Sequence, residues 1–125
     1  MYGFDIDDTL AKTDFKHARS QTEAILAAKV IYTPTMPFVA ITARGADPKV
    51  HRATQIWLKQ HQPNCHGVEF TGGSLKQVIN GKAQAIQRHN VTDYVDNNIE
   101  LLHGLKNLLP NVKFYHFTGS GYSLI

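Results

Sequence analysis

Short, mostly apolar runs alternate along this chain with longer stretches in which apolar residues return every three or four positions. Tyr2 to Ile6 is the first such run and predicts a buried strand. Residues 14 to 31 carry a helical stripe of Ala18, Ile25, Leu26 and Val30, with Asp14 as cap and Pro34 and Pro37 as stops. Phe38 to Thr42, rich in β-branched residues, predicts a second buried strand. Asp47-Pro48 opens a helix with Pro at its first position, and Val50, Ala53, Ile56, Trp57 and Leu58 form its inner face. Gln62-Pro63-Asn64 ends it. Residues 67 to 71 read as a third strand. Gly72-Gly73, a weak apolar segment from Leu75 to Ile79, and an Asn80-Gly81 turn signal follow. Lys82 then starts a helix to about His89. Tyr94-Val95-Asp96 is a short fourth strand. Residues 99 to 109 form a helix that turns Leu101, Leu102, Leu105 and Leu108 inward, and residues 112 to 118 form a fifth strand. The tail from Gly119 carries no structural signal.

Strand–helix alternation of this kind predicts an α/β fold: three Rossmann-like layers, with a five-stranded, mainly parallel sheet and helices on both faces. Such sheets bind ligands at the carboxyl ends of their strands. Those ends carry Asp5 with Asp7, Thr42 with Arg44, and Asp96, while Lys82 opens the helix before the fourth strand.

The 125 residues make one domain, able to bury roughly two-thirds of the unfolded surface. The net charge of +3 suits an anionic substrate but is too weak by itself to indicate nucleic-acid binding. Cys65 is the only cysteine, which excludes an intramolecular disulfide. No run approaches the roughly 18 apolar residues of a membrane helix. The N-terminus enters a strand directly, without the pattern of a signal peptide. The expectation is a cytoplasmic protein with no membrane contact.

Asp5, Asp7 and Asp8 lie too close together to be ionised without mutual repulsion, so a fold that gathers them needs a cation to offset the charge. Hard oxygen ligands at a strand end suit Mg²⁺, which shares its remaining positions with water and phosphate. On an extended chain Asp5 and Asp7 lean to the same side. An EF-hand is excluded, because Leu10 and Lys16 stand where it needs Gly and Glu. A P-loop is excluded, because Gly81-Lys82 has Lys76 where the first Gly belongs and Ala83 where Ser or Thr belongs. His61, Cys65 and His66 lack a fourth ligand for zinc.

The arrangement of these residues resembles the haloacid dehalogenase (HAD) superfamily of phosphohydrolases. Asp5-Ile6-Asp7-Asp8-Thr9 matches its D-x-D-x-T motif, Thr42 its second motif, Lys82 its third, and Asp96 with Asn97 the acid pair of its fourth. The resemblance covers residues 2 to about 118. It implies a Mg²⁺-dependent phosphomonoesterase with Asp5 as nucleophile and Asp7 as general acid and base. It further implies Thr42 and Lys82 on the phosphoryl oxygens, and Asp5, Asp96 and the Asp7 carbonyl on the metal. Two departures stand out. Asn97 replaces the second acid, and Lys76 rivals Lys82. Lys82 is preferred because it follows a turn and lies fourteen residues before Asp96.

About 27 residues separate Leu10 from Phe38, and about ten separate Thr71 from Lys82, so neither gap holds the full cap domain many HAD enzymes carry. The site is therefore expected to be open, favouring a large substrate or an oligomer that completes the pocket. Thr42-Ala43-Arg44-Gly45, followed by Arg52, Thr54, Trp57 and Leu58, is similar to a segment in the phosphatase half of polynucleotide kinase–phosphatases and in short nucleotidase-like HAD proteins. That similarity implies a nucleotide or nucleic-acid 3′-phosphate as substrate, with Arg44 as a fork on a phosphate; the alternative for Arg44 is an ion pair with a surface acid. Trp57 reads as a core residue. The competing readings are a phosphatase of another small metabolite and a catalytically weak HAD-fold binding protein.

Overall fold

The computed structural model describes residues 1–125. The chain runs β1 (Tyr2–Phe4), β2 (Ala11–Lys12), α1 (Gln21–Leu26), β3 (Lys29–Val30), β4 (Phe38–Thr42), α2 (Pro48–His61), β5 (Cys65–Phe70), α3 (Leu75–Arg88), β6 (Asp93–Asp96), α4 (Ile99–Leu108), β7 (Lys113–Phe117) and β8 (Tyr122–Leu124). Six strands form one sheet in the order β5-β4-β1-β6-β7-β8, and β2 pairs with β3 in a small separate ribbon. The first five strands of that order are parallel, and β8 runs antiparallel to β7. This is an α/β protein with a mostly parallel sheet flanked by helices. None of its helices is long and apolar enough to cross a membrane.

Alternation along β4 shows how the layers are built. Phe38 and Ala40 face one side and pack with Val50, Ala53, Trp57 and Leu58 of α2 and Ile25 of α1. Val39 and Ile41 face the other side and pack with Val78 and Ile86 of α3 and Leu101, Leu102 and Leu105 of α4. Successive strand residues point to opposite faces, so a strand buried on both faces must be mostly apolar, as β4 is from Phe38 to Ile41. Trp57 is a core residue, as expected, and its indole N–H donates to the Ala28 carbonyl at 2.9 Å, tying α2 to the segment before β3.

β1 sits between β4 and β6. From it the chain moves outward through β4 and β5, then returns across to β6 and moves outward again through β7. The direction of winding therefore reverses beside β1, which is where sheets of this kind bind ligands at the carboxyl ends of their strands.

Several expectations need correction. The sheet has six strands, not five. The tail beyond Gly119 folds back as β8 because Tyr122 packs its ring against Phe4, Tyr32 and Tyr115 at centroid distances of 5.4–5.9 Å. Gly119, at φ 111, makes the tight return that this hairpin requires. The long helix expected over residues 14 to 31 is only the six-residue α1, capped by Ser20 through the Glu23 N–H. Asp14 instead caps a turn, accepting from the backbone N–H of His17. Leu26, Val30, Ile56 and Leu108, assigned to inner faces, are exposed.

The turn at Asn80-Gly81 is absent. α3 runs unbroken from Leu75, begun by a capping box between Ser74 and Gln77. Gly81 serves close packing instead, since a Cβ there would lie 2.9 Å from the Thr71 side chain. Lys82 consequently lies in the middle of a helix rather than at its start.

Candidate active site

Asp5 directly follows β1, and its backbone N–H still donates to the Val95 carbonyl of β6. Beyond it the chain makes a single tight turn in which the Ile6 carbonyl accepts from the N–H groups of Thr9, Leu10 and Ala11. Asp8 enters the left-handed region at φ 62, which an Asp tolerates better than most residues. This turn carries Asp7 upward beside Asp5. Thr42 ends β4, the neighbouring strand, and Asp96 ends β6 on the other side.

Lys82 reaches this edge from α3. Its side chain is almost wholly buried, and its Nζ donates to Asp5 Oδ1 at 2.9 Å, Asp96 Oδ2 at 2.8 Å and the Tyr94 hydroxyl at 2.7 Å. Three acceptors saturate an ammonium, which has three protons. Lys76, the rival lysine, is exposed on the first turn of α3. Helical spacing explains the choice. Val78, Lys82 and Ala85 follow one another at three or four residues and share the buried face, which Lys76 does not.

Two carboxylates face one ammonium here, so one negative charge remains unbalanced. Burial, and then the Asp96 charge, push the Asp5 carboxyl up to about 7 against the pull of Lys82. Burial works to lower the Lys82 pKa, but the two carboxylates outweigh it and hold the lysine above its ordinary value. Burial, followed by the Asp96 and Asp5 charges, holds the Tyr94 hydroxyl in its neutral form. That hydroxyl donates to Asp96 Oδ2 at 2.7 Å. Tyr94 was not anticipated as a site residue. Its position two residues before Asp96 on the same strand was the available signal, since such residues share a face.

Asp7 points away from this cluster. Arg44, expected to grip a substrate phosphate, closes its fork on Asp7: Nη2 to Oδ1 at 2.8 Å and Nε to Oδ2 at 3.1 Å. Nη1 donates to Thr54 Oγ1 at 2.8 Å, and Thr54 donates in turn to the Val50 carbonyl of α2. The Arg44 side chain is 7% exposed and the Asp7 side chain 36%, so the acid, not the guanidinium, stands at the mouth of the site. Thr13 Oγ1 also donates to Asp7 at 3.2 Å. Thr42 is buried, and its Oγ1 accepts the Arg44 backbone N–H at 3.2 Å, which leaves the hydroxyl proton free to donate.

No three side chains of His, Cys, Asp or Glu converge as a metal cluster. Oxygen donors nevertheless do converge. One end of the Asn97 amide lies 3.1 Å from the Asp7 carbonyl oxygen, 3.0 Å from Asp5 Oδ2 and 3.3 Å from Asp96 Oδ1. Each carboxylate is thus divided, one oxygen toward Lys82 and the other toward Asn97. Two carboxylate oxygens, a carbonyl oxygen and an amide, all hard donors around one surplus negative charge, fit a Mg²⁺ ion that completes its shell with water or phosphate.

No protein-family model, curated protein or solved structure matches this chain. Fold and site therefore define it by themselves: a mostly parallel α/β domain with a buried lysine–dicarboxylate cluster at the reversal point of its sheet.

Proposed function

We propose that this chain is a HAD-type phosphohydrolase, a Mg²⁺-dependent phosphomonoesterase that works through an aspartyl-phosphate. The observation that carries this reading is the division of labour between the two acids of one turn. Asp5 is buried against Lys82, while Asp7 stands beside it at the mouth, oriented by Arg44. A nucleophile needs a positioned, partly desolvated carboxylate. A proton carrier needs access to the leaving group and to water.

In the first step Asp5 attacks phosphorus, the bond to the ester oxygen breaks, and that oxygen leaves with a proton from Asp7. In the second, water attacks the phosphorus of the aspartyl-phosphate and gives a proton to Asp7. The bond to Asp5 breaks, phosphate departs and both acids are restored. Lys82 and the Thr42 hydroxyl offset charge on the phosphoryl oxygens, an electrostatic contribution that grows in a buried site. Mg²⁺, held by Asp5, Asp96 and the Asp7 carbonyl, would lessen the repulsion between carboxylate and phosphate.

A nucleotide or a nucleic-acid 3′-phosphate is the favoured substrate. The segment between Leu10 and Phe38 holds only the β2–β3 ribbon, a loop and α1, so a large substrate can approach. A cleft of about 240 Å³ beside Arg44 is lined by Phe15, Ile25 and Val50 together with Gln21 and Asp47. This is somewhat below the roughly 300 Å³ at which pockets for drug-sized ligands begin, and suits one ring with polar edges. A catalytically weak binding protein is the second reading, favoured by Asn97 where an acid would strengthen metal binding.

The test is a panel of nucleotides, 3′-phosphorylated oligonucleotides, sugar phosphates and p-nitrophenyl phosphate, assayed with Mg²⁺ and with EDTA. Turnover that requires Mg²⁺ and is highest on nucleotides or oligonucleotides is expected. Full activity in EDTA would refute the mechanism. A higher kcat/KM on a sugar phosphate or on p-nitrophenyl phosphate would refute the substrate class.

A further inference from the structure

We propose that the groove between α1 and α2 docks an acidic amphipathic helix of a partner protein. The proposed phosphatase reaction makes no use of this surface, and the two stand or fall separately.

The groove holds about 430 Å³, and Leu26 of α1 with Pro48, Ala53 and Ile56 of α2 gives it an apolar lining. Leu26 and Ile56 are exposed, although the periodicity of their helices assigns both to inner faces. One exposed leucine or isoleucine is ordinary, but two that line the same concave surface form a patch of the kind that marks an interaction site. From Pro48 to Ile56 the α2 wall runs about 12 Å at 1.5 Å per residue. A helix that lays anchors at i, i+4 and i+7 into a groove needs about 10 Å, so the lengths match.

Charge sets the character of the partner. No Asp or Glu occurs in α2 from Pro48 to His61, whereas Lys49, Arg52 and Lys59 all stand exposed on it. Lys49 and Arg52 border the groove, three residues apart on one helical face. Neither is engaged in a salt bridge within the chain. The nearby Asp47 carboxylate is occupied as the cap of α2, accepting the Lys49 N–H at 2.8 Å. Glu23 of α1 lines a different cleft, with Lys16 and Lys29. Two unpaired cations beside an apolar floor complement apolar anchors flanked by carboxylates.

Other occupants fit less well. A nucleic-acid strand would satisfy Lys49 and Arg52 but gain nothing from Leu26 and Ile56. A second copy of this chain has no suitable helix to offer: α1 holds only Glu23, α4 only Glu100, and α2 and α3 hold no acid. Each copy also carries a net charge of +3, which opposes association.

The experiment uses the full chain and a fluorescein-labelled synthetic helix with leucine at i, i+4 and i+7 and glutamate at the flanking positions. Fluorescence anisotropy should give a dissociation constant of about 0.1 mM or tighter, weakening as salt rises. The same helix with lysine for glutamate, or with serine for leucine, should bind about tenfold or more weakly. Arg52→Glu, Leu26→Ser and Ile56→Ser should each weaken the acidic helix about fivefold or more. The two altered helices keep the test independent of how the variants fold. Absence of binding at millimolar peptide would overturn the proposal, as would equal binding of the lysine helix or unchanged affinity in both Leu26→Ser and Ile56→Ser. A short single-stranded DNA that binds more tightly than the acidic helix and requires Arg52 would overturn it in favour of nucleic acid. A dimer seen by sedimentation that Ile56→Ser dissociates would overturn it in favour of a second copy.

Discussion

Replacing Lys82 with Met removes one charge from the most buried part of the molecule while nearly preserving side-chain volume. The loss falls on two carboxylates at once, because Nζ contacts both Asp5 and Asp96 at 2.8–2.9 Å. Breaking a buried ion pair by deleting one partner costs about 3–5 kcal/mol when the remaining charge is stranded. That is a large share of the roughly 5–15 kcal/mol by which domains are stable. At about 4 °C per kcal/mol for a chain of this size, the melting temperature should fall by roughly 10–20 °C. The cost must also depend on pH. Asp5 already titrates near 7 with Lys82 present, and without the lysine it moves higher. Below that pH the folded protein neutralises the stranded charge by taking up a proton, which the unfolded chain does not need to do above pH 4. Urea unfolding at pH 5 and pH 8 in EDTA should therefore show a smaller loss at pH 5 and a larger one at pH 8. Mg²⁺ should restore part of the loss at pH 8. Lys76→Met is the control and should change stability by less than about 0.5 kcal/mol, since Lys76 is exposed. A Lys82→Met protein within about 1 kcal/mol of wild type at pH 8, or one equally destabilised at both pH values, would refute the reasoning.

Three further predictions concern the same cluster. Asp5→Asn should keep or raise the melting temperature in EDTA, because it relieves repulsion, and should lower turnover by several orders of magnitude; a tenth of wild-type rate or more would exclude Asp5 as nucleophile. The stability of wild type relative to Asp5→Asn should decline in EDTA as pH rises from about 4 toward 7, because a raised carboxyl binds more protons folded than unfolded across that window; urea titrations of both proteins that stay parallel across the range would contradict the burial of an ionisable Asp5. Arg44→Ala should lower kcat/KM in wild type but cost little further in an Asp7→Asn background, since the fork acts through Asp7; additive losses would mean that Arg44 touches substrate directly.

Periodicity alone determined much of this protein. β4 matches the expected strand residue for residue, α2 opens at Pro48 behind Asp47 as expected, Asp5 directly follows β1 and Asp96 ends β6. These features depend on local signals: a run of apolar residues, a cap, or a charge where a strand stops. The features that only the tertiary structure decided depend on groups far apart in the chain. β8 exists because Tyr122 finds Phe4 and Tyr32, contacts that no local pattern records. Asn80-Gly81 has the composition of a turn, yet it stays helical because Ser74 caps the helix early and Gly81 must pass close to Thr71. The helix start that, with the interval to Asp96, favoured Lys82 does not exist; the folded chain brings it to Asp5, 77 residues away, because it lies on the buried face of α3. The fork of Arg44 closes on Asp7 for a similar reason. A charged group pairs with whatever opposite charge the fold sets within reach, and only the packed sheet decides which that is.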